Sequence, residues 1–371
     1  MTKQMKEFLW REKYVDIAKG IAIIAVVLGH IGYLYPAWKL LPLSTILVWL
    51  WHVPVFFLIG GFFLKEEKLQ KPLSFVKGKF RSLYLLILYI YIPVLLLHNW
   101  FLQIGFYDTC IEYYGKYVTE WGGQDFLRHV LEAILFAGRE PLLGAMWFVY
   151  VLFMALCCLS IVSWTLRKCI KKDQVYEDVR FAVLLLGAVL SCTMTKLYDV
   201  TIPRFCNMIV AVWLIYLGML LVQKRKVEFN NKYIALISVI IIYHAATILG
   251  GVNFAANVFS DVVSLTVNSV ASLYLICFIS KRIEESLVGK ILSKVGEDSF
   301  YIMSLHFFGF KVFSLILLGT GMSVELAELC PHAGRNILLL LGYLFFGVVM
   351  PLVFIAVYRR LYGLICKSIK I

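Results

Sequence analysis

Residues Tyr14–Leu34, YVDIAKGIAIIAVVLGHIGYL, are long and apolar enough to cross a bilayer, yet they carry Asp16, Lys19 and His30. Ionisable groups in hydrocarbon are costly, so each is a candidate for function. At about 100° per residue, the eleven-residue step from Lys19 to His30 leaves the two roughly 20° apart on one helix face, with Asp16 within about 60° of Lys19. A rise of about 1.5 Å per residue separates ammonium and imidazole by roughly 16 Å along the axis. A cation near one membrane face and a titratable base deeper in thus share a stripe, together with Ile23 and Val26. A second stripe, Ala18, Ala22, Ala25 and Gly29, lies about 100° round the helix and is small enough to admit a neighbour. The small stripe is expected to pack and the Lys19–His30 stripe to face a cavity. A snorkelling lysine and a hydrogen-bonded histidine without chemistry is the plain alternative.

Composition extends this to the whole chain. Of 371 residues 61% are hydrophobic and only 16% charged, with mean hydropathy +0.83, where a soluble domain is roughly 45–50% apolar and about 25% charged. The chain therefore reads as an all-α, polytopic membrane bundle of about ten transmembrane helices. It is one transmembrane domain over 1–371, with no polar stretch long enough for a separate soluble domain. No small-residue cleavage site follows the first apolar run, which reads as a retained span rather than a signal peptide. Hydropathy places spans near 16–35, 43–64, 80–101, 143–166, 179–198, 204–222, 232–250, 258–280, 299–319 and 335–358, each near the roughly 20 residues a bilayer requires.

The charges test this map. With the N-terminus inside, 27 of the 36 Lys and Arg residues fall on inner segments and seven on outer ones, while Lys19 and Lys311 fall within spans. That alternation is the positive-inside pattern. It predicts two cytoplasmic termini and accounts for the net charge of +13 without a nucleic-acid partner.

Asn99–Leu142 is the one long loop, predicted to be external. It mixes Trp, Tyr and Phe with Asp108, Glu112, Glu120 and Asp125, a combination that suits a sugar or, more plainly, an interfacial aromatic belt. Within it Phe126–Ala137 is amphipathic and too short to span. Nine cysteines include no CxxC pair and no zinc spacing, so no metal is expected. Cys110 and Cys330 both map outside, where a disulfide is feasible.

Further candidates are scattered. His52 lies in the second span beside Pro54, which frees a backbone carbonyl; the histidine either faces a cavity or bonds neighbouring backbone. In Phe75–Arg81, FVKGKFR, the cations Lys77, Lys79 and Arg81 stand at the cytoplasmic start of the third span. They suit either the phosphates of an anionic donor or simple anchoring. Trp147 opens the fourth span. Ser299, Met303 and His306 fall close to one face of the ninth.

Taken together these stretches resemble the acyltransferase-3 family of integral-membrane O-acyltransferases, most nearly its fucose 4-O-acetylase-like branch. Lys19 and His30 match the family's opening basic residue, ten residues and histidine, with Lys for the commoner Arg. HVPVFFLIGGFFL is similar to its second-span segment, with Gly60 where Ser is usual and Phe62 where Tyr is usual. FVKGKFRSLYL, GAMWFVYVLF and ILSKVGEDSFYIMSLH resemble later segments, the last matching at Gly296, Ser299, Ile302 and His306. The likeness runs from about residue 14 to 358, without the family's additional hydrolase-like domain.

The resemblance implies transfer of an acyl group, usually acetyl, from cytoplasmic acyl-CoA to a hydroxyl of an extracytoplasmic carbohydrate, in a bacterial cell (inner) membrane. Lys19, Lys77, Lys79 and Arg81 would hold the CoA phosphates. The pantetheine arm would pass Ile23 and Val26, and His30 would be catalytic, as base or acyl carrier. Asp16, His52, Trp147, Ser299 and His306 would line the cavity. A transporter or membrane sensor on the same scaffold is the alternative.

Overall fold

The computed structural model describes residues 12–36, 41–110, 112–113, 116–138, 140–198 and 204–368. Lys3, Lys6, Arg11, Lys39, Arg139 and Lys370 of the charge map lie outside them. Among the described residues nine helices are long and apolar enough to cross a membrane, and all contacts between strands are two-stranded ribbons. The protein is an all-α polytopic bundle.

Its helices are α1 (Lys13–Gly29), α2 (Thr45–Phe62), α3 (Pro72–Leu96), α4 (Gly123–Ile134), α5 (Pro141–Cys169), α6 (Asp173–Tyr198), α7 (Phe205–Lys224), α8 (Lys232–Leu249), α9 (Val262–Ile283), α10 (Leu287–Glu297), α11 (Ser299–Gly319) and α12 (Ile337–Ser368). Two compact units share them. One comprises Met1–Tyr35, Ile90–Ala145 and Lys290–Ile371; the other comprises Pro36–Tyr89 and Met146–Gly289.

In the first unit α1, α11 and α12 pack on one another. Glycines set the approach. A Cβ on Gly309 would strike the Phe346 carbonyl of α12, and one on Gly347 would strike Val27 of α1 and the Phe310 ring. Ala18, Ala22 and Ala25 are buried, as the small stripe predicts.

The helix α1 stops earlier than the span expected at 16–35. Gly29 and Gly32 are poor helix formers, and past Gly29 the segment Gly32–Tyr33 (β1) pairs in parallel with His332–Gly334 (β2). A side chain at Gly32 would collide with the His332 ring. Consequently His30 sits at the helix end instead of deep within a span. The third span is corrected in the opposite sense: α3 begins at Pro72, a residue suited to the first helical position, so FVKGKFR lies inside the helix.

In the second unit α2 packs on α7. Here Gly61 faces the Ile215 carbonyl and Gly218 the Leu58 carbonyl, leaving no room for a Cβ at either. The helix α2 is broken at Trp51 (φ −142°), just before Pro54. The carbonyl of Leu50, four residues before the proline and so deprived of its helical donor, accepts from Asn268 Nδ2 at 3.0 Å. Cys110 and Cys330, the pair allowed by the sequence, are free thiols here.

Candidate functional site

The last turn of α1 explains how His30 is held. His30 N donates to Val27 O at 3.1 Å and Ile31 N to Leu28 O at 3.2 Å, the tighter winding common at helix ends. That leaves the Val26 carbonyl for the His30 ring, whose Nδ1–H donates to it at 2.8 Å. A neutral imidazole carrying its hydrogen on Nδ1 presents a bare Nε2, an acceptor and potential base.

A second imidazole stands beside it. The centroids of His30 and His306 are 5.0 Å apart with the rings inclined at 55°, and Phe307 meets His30 edge-on at 5.1 Å. His306 is 0% exposed. Its Nδ1–H faces the carbonyls of Met303 at 2.9 Å and Ile302 at 3.1 Å, while its Nε2 is buried without a hydrogen-bond partner. Carbonyls only accept, so both histidines are fixed in the same tautomer.

Farther along α1, Lys19 is paired with Asp16 at 2.5 Å, and Asp16 is buried. Ile23 and Val26 are buried too, so the face expected to guide a pantetheine arm is packed in this structure. Ser299 opens α11 and stands roughly 10 Å of helix from His306, too far to join the imidazole pair.

The remaining candidates belong to the second unit. His52 donates through Nδ1 to Val48 O at 2.6 Å, the local backbone bond named as its plainer reading. Trp147 stacks on Phe254 with centroids 6.4 Å apart. A cavity of about 410 Å³ is lined by Lys68, Lys71 and Lys79 together with Glu67, Ser74 and Ser82. Lys79 alone of the three expected cations lines it, because Lys77 and Arg81 point from other faces of α3 and are exposed. Lys68 and Lys71 were legible only as members of an inner basic segment; the turn between the short helix Glu66–Leu69 and α3 brings them to the same concavity.

The long segment 99–142 and the residue just before it hold a cluster that no sequence pattern indicated. His98, Tyr107 and Glu140 are all buried. His98 Nε2–H donates to Thr119 O at 3.1 Å, which leaves its Nδ1 to face Glu140 Oε2 at 2.9 Å. Tyr107 donates to Glu140 Oε1 at 3.0 Å. Burial pushes the Glu140 carboxyl above the usual carboxylate range, against the pull of His98 and Tyr107. A protonated Glu140 donating to His98 Nδ1 satisfies every group with no net charge. The Trp121 ring is sandwiched between His98 at 3.5 Å and His129 at 4.0 Å, so neither of its faces is free to stack on a sugar. Of the carboxylates expected there, Asp125 caps α4 and pairs with Arg128 at 2.9 Å, and Asp108 accepts from the Cys110 amide at 2.5 Å.

Lys311, noted only as a charge within a span, is 1% exposed. Its ammonium donates to the carbonyls of Leu326, Ala327 and Glu328 at 2.5, 3.1 and 2.9 Å, one acceptor for each of its hydrogens.

A multi-pass helical bundle that brings the half-buried His30 ring against the buried His306 ring is a membrane protein with two titratable side chains in contact. The chain belongs to the acyltransferase-3 family: the model of that family's acyltransferase domain matches residues 12–359. It is a membrane acyltransferase. No curated protein and no solved structure matches it significantly.

Proposed function

We propose that this acyltransferase moves an acetyl group from cytoplasmic acetyl-CoA to a hydroxyl of an extracytoplasmic glycan in a bacterial cell membrane, with both termini in the cytoplasm and His30 as the general base. The observation that carries this is the hydrogen bond from His30 Nδ1 to Val26 O, which leaves Nε2 as the nitrogen able to take a proton. Histidine suits the task because its unperturbed pKa near 6.5 lets it accept and return a proton close to neutrality. The acceptor oxygen bonds to the thioester carbonyl carbon as its proton passes to His30 Nε2. The C–S bond then breaks and the CoA thiolate recovers that proton. In the second unit Lys68, Lys71 and Lys79 line a cavity whose cations suit a donor's phosphates.

Purified protein incubated with acetyl-CoA tests the proposal. His30→Gln keeps a hydrogen-bonding amide but cannot take a proton. It is expected to lower turnover by about 10²–10⁴-fold while leaving CoA affinity unchanged. Near-normal turnover in this variant refutes the mechanism.

A further inference from the structure

His306 has a nitrogen that the fold leaves unsatisfied. Its Nδ1 is committed to its own helix, and its Nε2 is buried and unpartnered. Leaving a buried acceptor unpaired is destabilising, a cost a purely structural apolar residue avoids. The ring lies 5.0 Å from His30, whose Nε2 is the nitrogen proposed to take the acceptor's proton. With both Nδ1 atoms committed to carbonyls, each ring in its neutral form carries no hydrogen on Nε2.

We propose that His306 is a positioning residue for acyl transfer, its Nε2 accepting the hydrogen of the His30 imidazolium once His30 has taken the proton from the attacking hydroxyl. The inference rests on the assignment of His30 as base. Atoms balance without a further reactant: the proton leaves the hydroxyl, is held between the two imidazoles, and departs with the CoA thiolate. His306 acts only through His30.

Other titratable groups near this part of the unit are mostly engaged or distant. On α1, Lys19 is paired with Asp16 and stands roughly 16 Å from His30 along the axis. On α12, Tyr343 is bonded to Ser314 at 2.9 Å. On α11 itself Lys311 is held by three carbonyls. Beyond α1, Tyr33 and Tyr35 stack edge-on with each other at 5.0 Å, and the Tyr35 hydroxyl is buried without a hydrogen-bond partner. On β2, His332 lies 3.3 Å from Glu328.

The test compares wild type, His306→Leu and His306→Gln as purified full-length protein, with acetyl-CoA as donor, water as acceptor, and thiol release followed from pH 5 to 9. Leucine removes the acceptor, so kcat should fall by about 10- to 100-fold and the acid limb of the profile should move to lower pH by about one to two units. KM for acetyl-CoA should not change. Glutamine retains a carbonyl acceptor and should restore most of the rate and the position of the limb. Loss of rate in both variants with an unshifted limb, or no change in either, overturns the proposal. A wild type that releases no thiol fails the parent assignment instead. The pairing is then decided by the ¹⁵N imidazole resonances of His30, whose titration midpoint must fall in His306→Leu and remains in place if the pairing is wrong.

Discussion

His98 and Glu140, 42 residues apart in the chain, meet at 2.9 Å in a site from which both are shielded from solvent. Because burial holds the Glu140 carboxyl above its ordinary value, the folded state binds more protons than the unfolded one across that interval. Stability is therefore full below the ordinary carboxylate value and declines as pH rises through the native one. Thermal unfolding in detergent should show this decline in the wild type. Glu140→Gln, which can still donate to His98 Nδ1 and accept from Tyr107, should flatten it. Glu140→Ala strands two buried polar groups at about 1–3 kcal/mol each and should lower stability at every pH.

The lysines of the cavity in the second unit should govern donor affinity. Lys79→Ala and Lys71→Ala each remove a cation proposed to meet a phosphate, a contact worth roughly 1.5–3 kcal/mol, so acetyl-CoA affinity should fall by about 10- to 100-fold. Lys77→Ala and Arg81→Ala, whose side chains are exposed outside it, should change it far less. Equilibrium binding to the inactive His30→Gln background separates the two sets; equal losses in all four would disperse the donor site over the whole basic segment.

Two glycines should respond oppositely to substitution. A Cβ on Gly296 would land on the Asp16 carbonyl where α10 meets α1. The overpacking costs about 1–3 kcal/mol, more than the roughly 1 kcal/mol of helix propensity gained by alanine. Gly296→Ala should thus lower the melting temperature. At Gly60 the added Cβ would be 3.5 Å from Leu152 Cδ1 and 3.9 Å from Ile215 Cγ1, ordinary contact distances. Gly60→Ser, which restores the residue usual in the resembled segment, should fold at least as well as wild type.

Cys110 and Cys169 are both exposed thiols and offer a direct check on orientation. In intact cells carrying variants with one or the other as sole cysteine, a membrane-impermeant maleimide should label Cys110 and spare Cys169. The reverse pattern would invert the charge-based map.

How much of this was legible in the sequence depended on range. Period and hydropathy are local properties, so the helices, the buried alanine stripe of α1 and the amphipathic α4 followed from neighbouring residues. The end of α1 did not, because it depends on Gly32 pairing with residue 332, three hundred positions away. His30 and His306 were each candidates on their own helices, but their contact depends on glycines that bring α1, α11 and α12 together. The His98–Glu140 cluster had no periodic signature at all. Lys77, Lys79 and Arg81 read as one basic cluster, yet residues two apart on a helix face different ways, and only Lys79 turns toward the cavity.

Lys311 has an implication for how the protein is made. Its three carbonyl partners lie fifteen to seventeen residues later in the chain, so α11 leaves the ribosome before anything exists to receive its ammonium. A lone lysine at the centre of a nascent span costs about 2.5–3.5 kcal/mol of insertion free energy. The ammonium is therefore expected to gain its partners only after the turn beyond Gly319 has been synthesised and folded back. A nascent chain arrested shortly after α11 should remain accessible to the insertion machinery, and lengthening it past Glu328 should release it.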